Sequence, residues 1–335
     1  MQKSKLTKPI IALLLALFVL FYFFYFVWYS LWYYPPGNNF NAFPPTQPAS
    51  GPGGRDYKTQ EVLIKKITKS NNIVYIFIPQ GIDLNSSPII LFLHGLSAFF
   101  ETDYTIYYSL IAHEVKRGNI VIFPIYQKDF FHPFSPKKFP EIAKNLTKQA
   151  LLEIKKIAPK NDLSQFIIMG SSMGGSVATN IISEDLPAPR ALILLTPGET
   201  FPFVPTSIYG LPFKELKNLE PNCWLIVLFA GSDHLILKEN IKKKIIQKTE
   251  GIKNRHIFLI PSDTHGNLPL WSNHLSPFFI PSALDYYGYW KIIDATIDCA
   301  LFHKNCEIVK GEAEETFYMG QWSDGKEVNK IKKIY

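Results

Sequence analysis

A serine stands between two glycines in Gly170-Ser171-Ser172-Met173-Gly174, directly after the apolar run Phe166-Ile167-Ile168-Met169. A serine hydroxyl is a weak nucleophile. It attacks a carbonyl only when a base takes its proton and a third group orients that base. The frame Gly170-x-Ser172-x-Gly174 suits a sharp strand-to-helix turn that lifts the serine to its apex. Glycines at such a turn accept unusual dihedrals and let strand and helix approach each other. The helix leaving through Ser176-Val177-Ala178-Thr179 would aim unpaired N–H groups back at the serine, where an oxyanion could be held.

Partners for Ser172 lie further along the chain. The apolar run Cys223 to Ala230 ends in Gly231-Ser232-Asp233-His234, and Arg255 to Ile260 ends in Pro261-Ser262-Asp263-Thr264-His265-Gly266. Asp233 and His265 therefore follow the carboxyl ends of two successive strands, in the order nucleophile, acid, base. Asp263 and Glu199 are the alternative acids, and His234 and His274 the alternative bases. His274 falls in the loop after His265, where a pocket or surface position is expected. Asp233 would also serve as a helix N-cap. His113 and His132 follow no strand end and receive no role. The backbone N–H groups of Leu96, after His94-Gly95, and of Met173, after the serine, are the expected oxyanion donors.

The elements that must position these residues alternate. Strands are expected at 61–68, 72–79, 88–93, 119–124, 165–170, 190–195, 223–230 and 255–260. Helices are expected at 104–117, 137–156, 173–183, 237–248 and 282–302. Alternation of this kind predicts a mainly parallel sheet with helices on both faces. The first two strands, separated by Lys69-Ser70-Asn71, form a hairpin.

Leu93-His94-Gly95, Gly170-Ser171-Ser172-Met173-Gly174, Gly231-Ser232-Asp233 and Asp263-Thr264-His265-Gly266 together resemble the α/β-hydrolase superfamily, in its serine esterase, lipase or dienelactone-hydrolase-like branches. The resemblance covers residue 57 to the end of the final helix. The resemblance implies Ser172 as nucleophile, His265 as general base and acid, and Asp233 as the orienting carboxylate; it does not settle the substrate, for which a carboxylic ester cleaved through an acyl-enzyme is the leading expectation. It implies no metal and no organic cofactor. A membrane-surface acyltransferase and a catalytically silent binding module are the rival expectations on the same fold. The span between Thr196 and Asn222 is short and rich in proline and aromatics, so it is expected to wall an open cleft rather than form a large lid. His94 and Trp271 are the candidate substrate-pocket residues.

The chain of 335 residues is 47% hydrophobic, 15% aromatic and 19% charged, enough for one large core. Its net charge is +7, of which Lys3, Lys5 and Lys8 supply three, so nothing points to nucleic acid. Ile10 to Tyr29 carries no charge and is aliphatic and aromatic throughout. A helix of that length spans about 30 Å, the thickness of the bilayer's hydrocarbon. Lysines precede it, and Trp28, Tyr29, Trp32, Tyr33 and Tyr34 cluster at its far end. The expectation is a single-pass signal anchor with the catalytic domain outside the cytoplasm. The run is longer than the apolar core of a cleaved signal peptide. The resulting organisation is 1–34 as cytoplasmic stub and anchor, 35–56 as a Pro/Gly-rich linker, 57–306 as the catalytic domain, and 307–335 as an extension on its surface. An ester or lipid-like small molecule is the expected partner besides the membrane. Cys299 and Cys306 are the pair suited to a disulfide in an exported domain, provided the last helix ends near His303. Cys223 reads as a free core thiol.

Overall fold

The computed structural model describes residues 33–69, 72–96, 100–127, 135–182, 185–200, 204–216, 219–220, 222–278 and 280–335, together with residues 21, 25, 28 and 29. The apolar run 10–29, expected as a transmembrane segment, falls almost wholly outside these residues. Among the described residues, no helix is long and apolar enough to cross a membrane.

Nine strands form one sheet in the order β1-β2-β4-β3-β5-β6-β7-β8-β9. β1 (Val62–Lys69) and β2 (Asn72–Pro79) are the expected antiparallel hairpin, and β2 also runs antiparallel to β4 (Ile120–Ile125). From β4 the sheet continues in parallel through β3 (Ile89–Leu93), β5 (Phe166–Ser171), β6 (Ala191–Leu195), β7 (Trp224–Ala230) and β8 (Asn254–Ile260). β3, β6 and β7 are apolar at every position because both faces are covered. Alternate residues feed different layers. Ile90 and Phe92 of β3 join the core beneath α1 (Tyr104–Lys116) and α5 (Trp290–Phe302). Ile89, Leu91 and Leu93 join the core beneath α2 (Ser135–Ile157), α3 (Met173–Ile181) and α4 (Lys238–Lys248).

Three parts depart from the sequence expectation. The segment 35–56, read as a partly flexible linker, lies on the domain. Asn38 and Asn39 donate backbone N–H groups to the carbonyls of Thr264 and His265, Ala42 is fully buried, and the Gly53 N–H donates to Asp294 at 2.6 Å. Proline and glycine remove periodicity from a segment, but its remaining backbone groups can still pair with a loop. The final helix does not start regularly at Ser282. A π-turn at Asp285–Tyr289 precedes α5. The tail holds two short helices, α6 (Cys306–Lys310) and α7 (Glu314–Phe317), then β9 (Lys332–Lys333), which pairs antiparallel with β8. Trp322 of the tail is buried, and Lys291 Nζ in α5 donates to the carbonyls of Glu315 and Tyr318, each at 2.6 Å. Burial pushes that ammonium down to about 7.

Candidate active site

Ser172 follows β5 and immediately precedes α3, with φ 51° and ψ −122°. That conformation is strained for a residue bearing a side chain, and the surroundings hold it in place. The Ser172 N–H donates to Leu195 O at 2.9 Å, and its carbonyl accepts from the N–H groups of Gly175 and Gly198. The flanking glycines are sterically required. A Cβ on Gly170 would lie 2.3 Å from Gly174 O, and one on Gly174 would lie 2.0 Å from Leu93 O. The sequence motif thus reports a real packing constraint between β3, β5 and α3.

The imidazole that reaches this serine is that of His274. Its Nε2 lies 2.9 Å from Ser172 Oγ, and its Nδ1 lies 2.7 Å from Asp233 Oδ2. Asp233 and His274 are both buried. Asp233 Oδ1 also accepts the Leu235 N–H at 2.8 Å, which fixes the carboxylate plane. Asp233 therefore combines the expected orienting contact with the local turn contact of an Asx residue.

His265 does not stand against Ser172. Its Nε2 pairs with Asp324 Oδ2 at 2.7 Å, and its Nδ1 lies 3.3 Å from Lys326 Nζ, both in the C-terminal extension. The reason is the path of the loop after β8. Asp263 and Leu270 exchange backbone hydrogen bonds at 2.8 Å, which makes His265 part of a closed excursion. The chain then returns. Ser272 N–H donates to Ser262 Oγ, Ser232 N–H donates to Ser272 O, and Gly231 N–H donates to Ser272 Oγ. These bonds stitch the returning strand of the loop to the end of β7, two residues before His274. From the other side, Tyr289 Oη lies 3.0 Å from Ser276 Oγ and 3.3 Å from Ser272 Oγ. The alternative acids are also engaged elsewhere. Asp263 accepts from the N–H groups of His265 and Asn329, and Glu199 accepts from Phe213 N–H and pairs with Lys244.

The loop after β3 closes the third side. Gly95 packs so tightly on Ser172 that a Cβ there would come within 3.0 Å of the Ser172 Cβ. The Gly95 N–H is taken by Tyr107 Oη at 2.9 Å, which leaves the next residue, Leu96, as the loop's candidate oxyanion donor. Met173 opens α3, where first-turn N–H groups have no partner inside the helix.

His94 is not a pocket residue. It is fully buried, stacks on Tyr126 at 4.0 Å between ring centroids, and donates from Nδ1 to Gly95 O at 2.7 Å. Burial pushes it down to about 4, so it is neutral and shapes the loop. Trp271 does line a cleft, together with Leu275 beside His274.

Two clusters could suggest metal chemistry. His113, Glu114 and Asp294 bring ligand atoms within 4.8 Å of one another. Asp294 is already bonded by His113 Nε2 at 3.0 Å and by Arg117 Nε at 3.2 Å, so a guanidinium supplies the cation there and locks α1 to α5. Cys299 and Cys306 are joined in a disulfide, with 4.9 Å between their Cα atoms, and so are not thiolate ligands.

No protein-family model matches this chain, and no curated protein matches its sequence. Solved structures match its fold. The carboxyl esterase 2 (TmelEST2) of the mycorrhizal fungus Tuber melanosporum aligns at 17% identity and a TM-score of 0.51, over 78% of this chain and 93% of that one. An α/β hydrolase, MGS-M1, from a Medee basin deep-sea metagenome library aligns at 17% identity and a TM-score of 0.49, over 72% of this chain and 99% of that one. Likeness at these identities concerns the fold.

Proposed function

On this α/β-hydrolase fold, we propose that the chain is a serine hydrolase of carboxylic esters, with Ser172 as nucleophile, His274 as general base and acid, and Asp233 as the orienting carboxylate. One observation carries the reading: a continuous relay from Ser172 Oγ to His274 Nε2 at 2.9 Å and from His274 Nδ1 to Asp233 at 2.7 Å. The buried carboxylate holds the tautomer in which Nε2 is free to accept a proton. Ser172 Oγ bonds to the carbonyl carbon as its proton passes to Nε2, and the tetrahedral oxyanion is held by the N–H groups of Met173 and Leu96. Collapse breaks the bond to the alcohol, which leaves with the proton from Nε2. Water, deprotonated by the same nitrogen, then attacks the acyl-enzyme and returns Ser172 to its hydroxyl form. No step requires a metal or an organic cofactor.

The run Ile10 to Tyr29 supports a further part of the proposal: a single-pass anchor that holds the domain against the outer side of a membrane. The Cys299–Cys306 disulfide is in keeping with an oxidising compartment. A fluorescent fluorophosphonate tests the nucleophile. The parent is expected to label, and Ser172→Ala to lose the label; equal labelling of both would sink the assignment.

A further inference from the structure

A large cleft lies beside the reactive serine's histidine loop. Tyr34 and Pro44 to Gln47 of the N-terminal segment form one wall, and residues from the loops between Leu268 and Tyr286 form the other. Its volume is about 780 Å³, within the range of pockets that enclose whole small molecules. None of the described lining residues carries a charge. Phe278, Ala283 and Leu284 at its floor are buried in the main core, so the cleft is a fixed feature of the fold. Its rim is apolar and open: Leu268 is 69% exposed and Ile280 is 87% exposed. Leu268 moreover has φ 57°, a left-handed conformation uncommon for any residue but glycine or asparagine. A large apolar side chain is thus held outward at a backbone cost, beside a cleft that offers it no cover of its own.

Packing contacts run from the cleft towards Ser172. Trp271 and Leu275 line it and bracket His274 in sequence. Phe278 packs edge-on against Tyr107 at 4.5 Å, and Tyr107 Oη holds the Gly95 N–H next to Ser172. The cleft also meets the N-terminal segment. Tyr33 stands edge-on to Trp271 at 6.1 Å, and Tyr34 is part of the lining. With the apolar run 10–29 in a bilayer, these aromatics sit where tyrosine and tryptophan belong, at the headgroup level. A cleft lined by Tyr34 then lies close to that level.

We infer that this cleft receives the hydrocarbon chain of the substrate, an ester of a long-chain acid drawn from the membrane; this rests on the ester-hydrolase reading above. An uncharged cleft of this size gains little from a sugar or an acidic group, whose polar atoms would go unpaired. A methylene chain gains with every carbon covered. Each buried CH₂ contributes about 0.8 kcal/mol, which is roughly fourfold in kcat/KM.

The test uses the full chain in phosphatidylcholine vesicles, with p-nitrophenyl esters from acetate to dodecanoate. In the parent, kcat/KM is expected to climb about fourfold per methylene until the cleft is filled. The double variant Leu268→Asn/Ile280→Asn removes apolar rim without touching the floor, and asparagine tolerates the left-handed backbone at 268. It is expected to lower the dodecanoate-to-acetate ratio tenfold or more. A diazirine-bearing palmitic acid in the same vesicles gives a readout independent of catalysis. It should photolabel Phe278 or Leu284 equally in the parent and in Ser172→Ala, and far less in the double variant. Labelling at those residues without turnover of any ester would keep the cleft and remove the esterase reading. An unchanged chain-length ratio in the double variant, or no labelling of the floor residues, would overturn the inference.

Discussion

Three neighbours hold Ser172 in an unfavourable backbone conformation, and one imidazole is aimed at its oxygen. The strain, of order 1–3 kcal/mol for a residue so placed, is offset by hydrogen bonds to Leu195, Gly175 and Gly198. Between the two histidines of the loop after β8, only His274 bonds both Ser172 and Asp233. The expected outcome at this scale follows directly. His274→Ala should lower kcat on a short ester by about 10³-fold or more, because the proton of Ser172 loses its acceptor. His265→Ala should leave kcat near the parent value, since its imidazole pairs with Asp324 in the tail. Steady-state kinetics on both variants distinguishes the two; loss of activity in His265→Ala alone would reverse the roles assigned to them.

Elements matter here through how they end. α5 stops at Phe302 because His303 takes a left-handed conformation and its N–H turns back to Cys299 O. Asn305, also left-handed, then starts α6, and its side chain bonds Asp298 at 2.8 Å. This corner shortens the distance between Cys299 and Cys306 far below the rise of a continuous helix over seven residues, about 10 Å, and the disulfide closes it. For so short a loop, chain-entropy arguments give about 2 kcal/mol. Cys299→Ser/Cys306→Ser is therefore expected to lower the unfolding free energy by about that much in urea titration. Its kcat should stay unchanged, because the bridge lies in the tail connection and not in the loops around Ser172. An unfolding midpoint unmoved by the double substitution would show the corner to be held by its backbone and the Asn305–Asp298 bond alone.

For the whole molecule, the two faces of the sheet carry different burdens. One face buries an ionic network where α1 meets α5 and the segment 35–56: Arg117 pairs with Asp294, Asp298 and Asp56, and Asp294 holds His113 and the Gly53 N–H. Glu114 stands within it, fully buried. Burial first, and then the negative charge of Asp294, pushes its carboxyl well above the usual value of 4.5. The fold therefore binds a proton there that the unfolded chain releases. Its contribution to stability is complete below the unfolded pKa of 4.5 and is lost as pH rises towards the folded one. Glu114→Gln keeps the acceptor oxygen for Asn119 and removes the titration. Thermal unfolding should show the variant gaining on the parent as pH rises from 5 to 8. A constant difference in midpoint across that range would mean that Glu114 is ionised in the folded protein.

Much of this architecture was readable in the chain itself. The continuous apolar runs of β3, β6 and β7, and of Phe166 to Met169 in β5, are what strands buried on both faces require, and Gly170 and Gly174 announce a backbone approach that a Cβ would block. Ser172 and Asp233 follow from strand ends, because in a parallel sheet the residues just past successive strands gather at one edge. The base could not be read that way. His265 and His274 share one long loop, and strand-end placement favours the nearer histidine. What selects His274 is the path of the loop: the Asp263–Leu270 pairing draws His265 towards the tail, and the Ser262–Ser272–Ser232 bonds bring the chain back. Those bonds join the two arms of one loop to each other and to the end of β7, and they leave no periodic or compositional trace. The same holds for the segment 35–56, whose prolines and glycines read as a spacer until its backbone N–H groups meet the carbonyls of Thr264 and His265. Local patterning set the strands, the turn and the serine at its apex; only tertiary hydrogen bonding decided which imidazole faces it and what walls the cleft beside it.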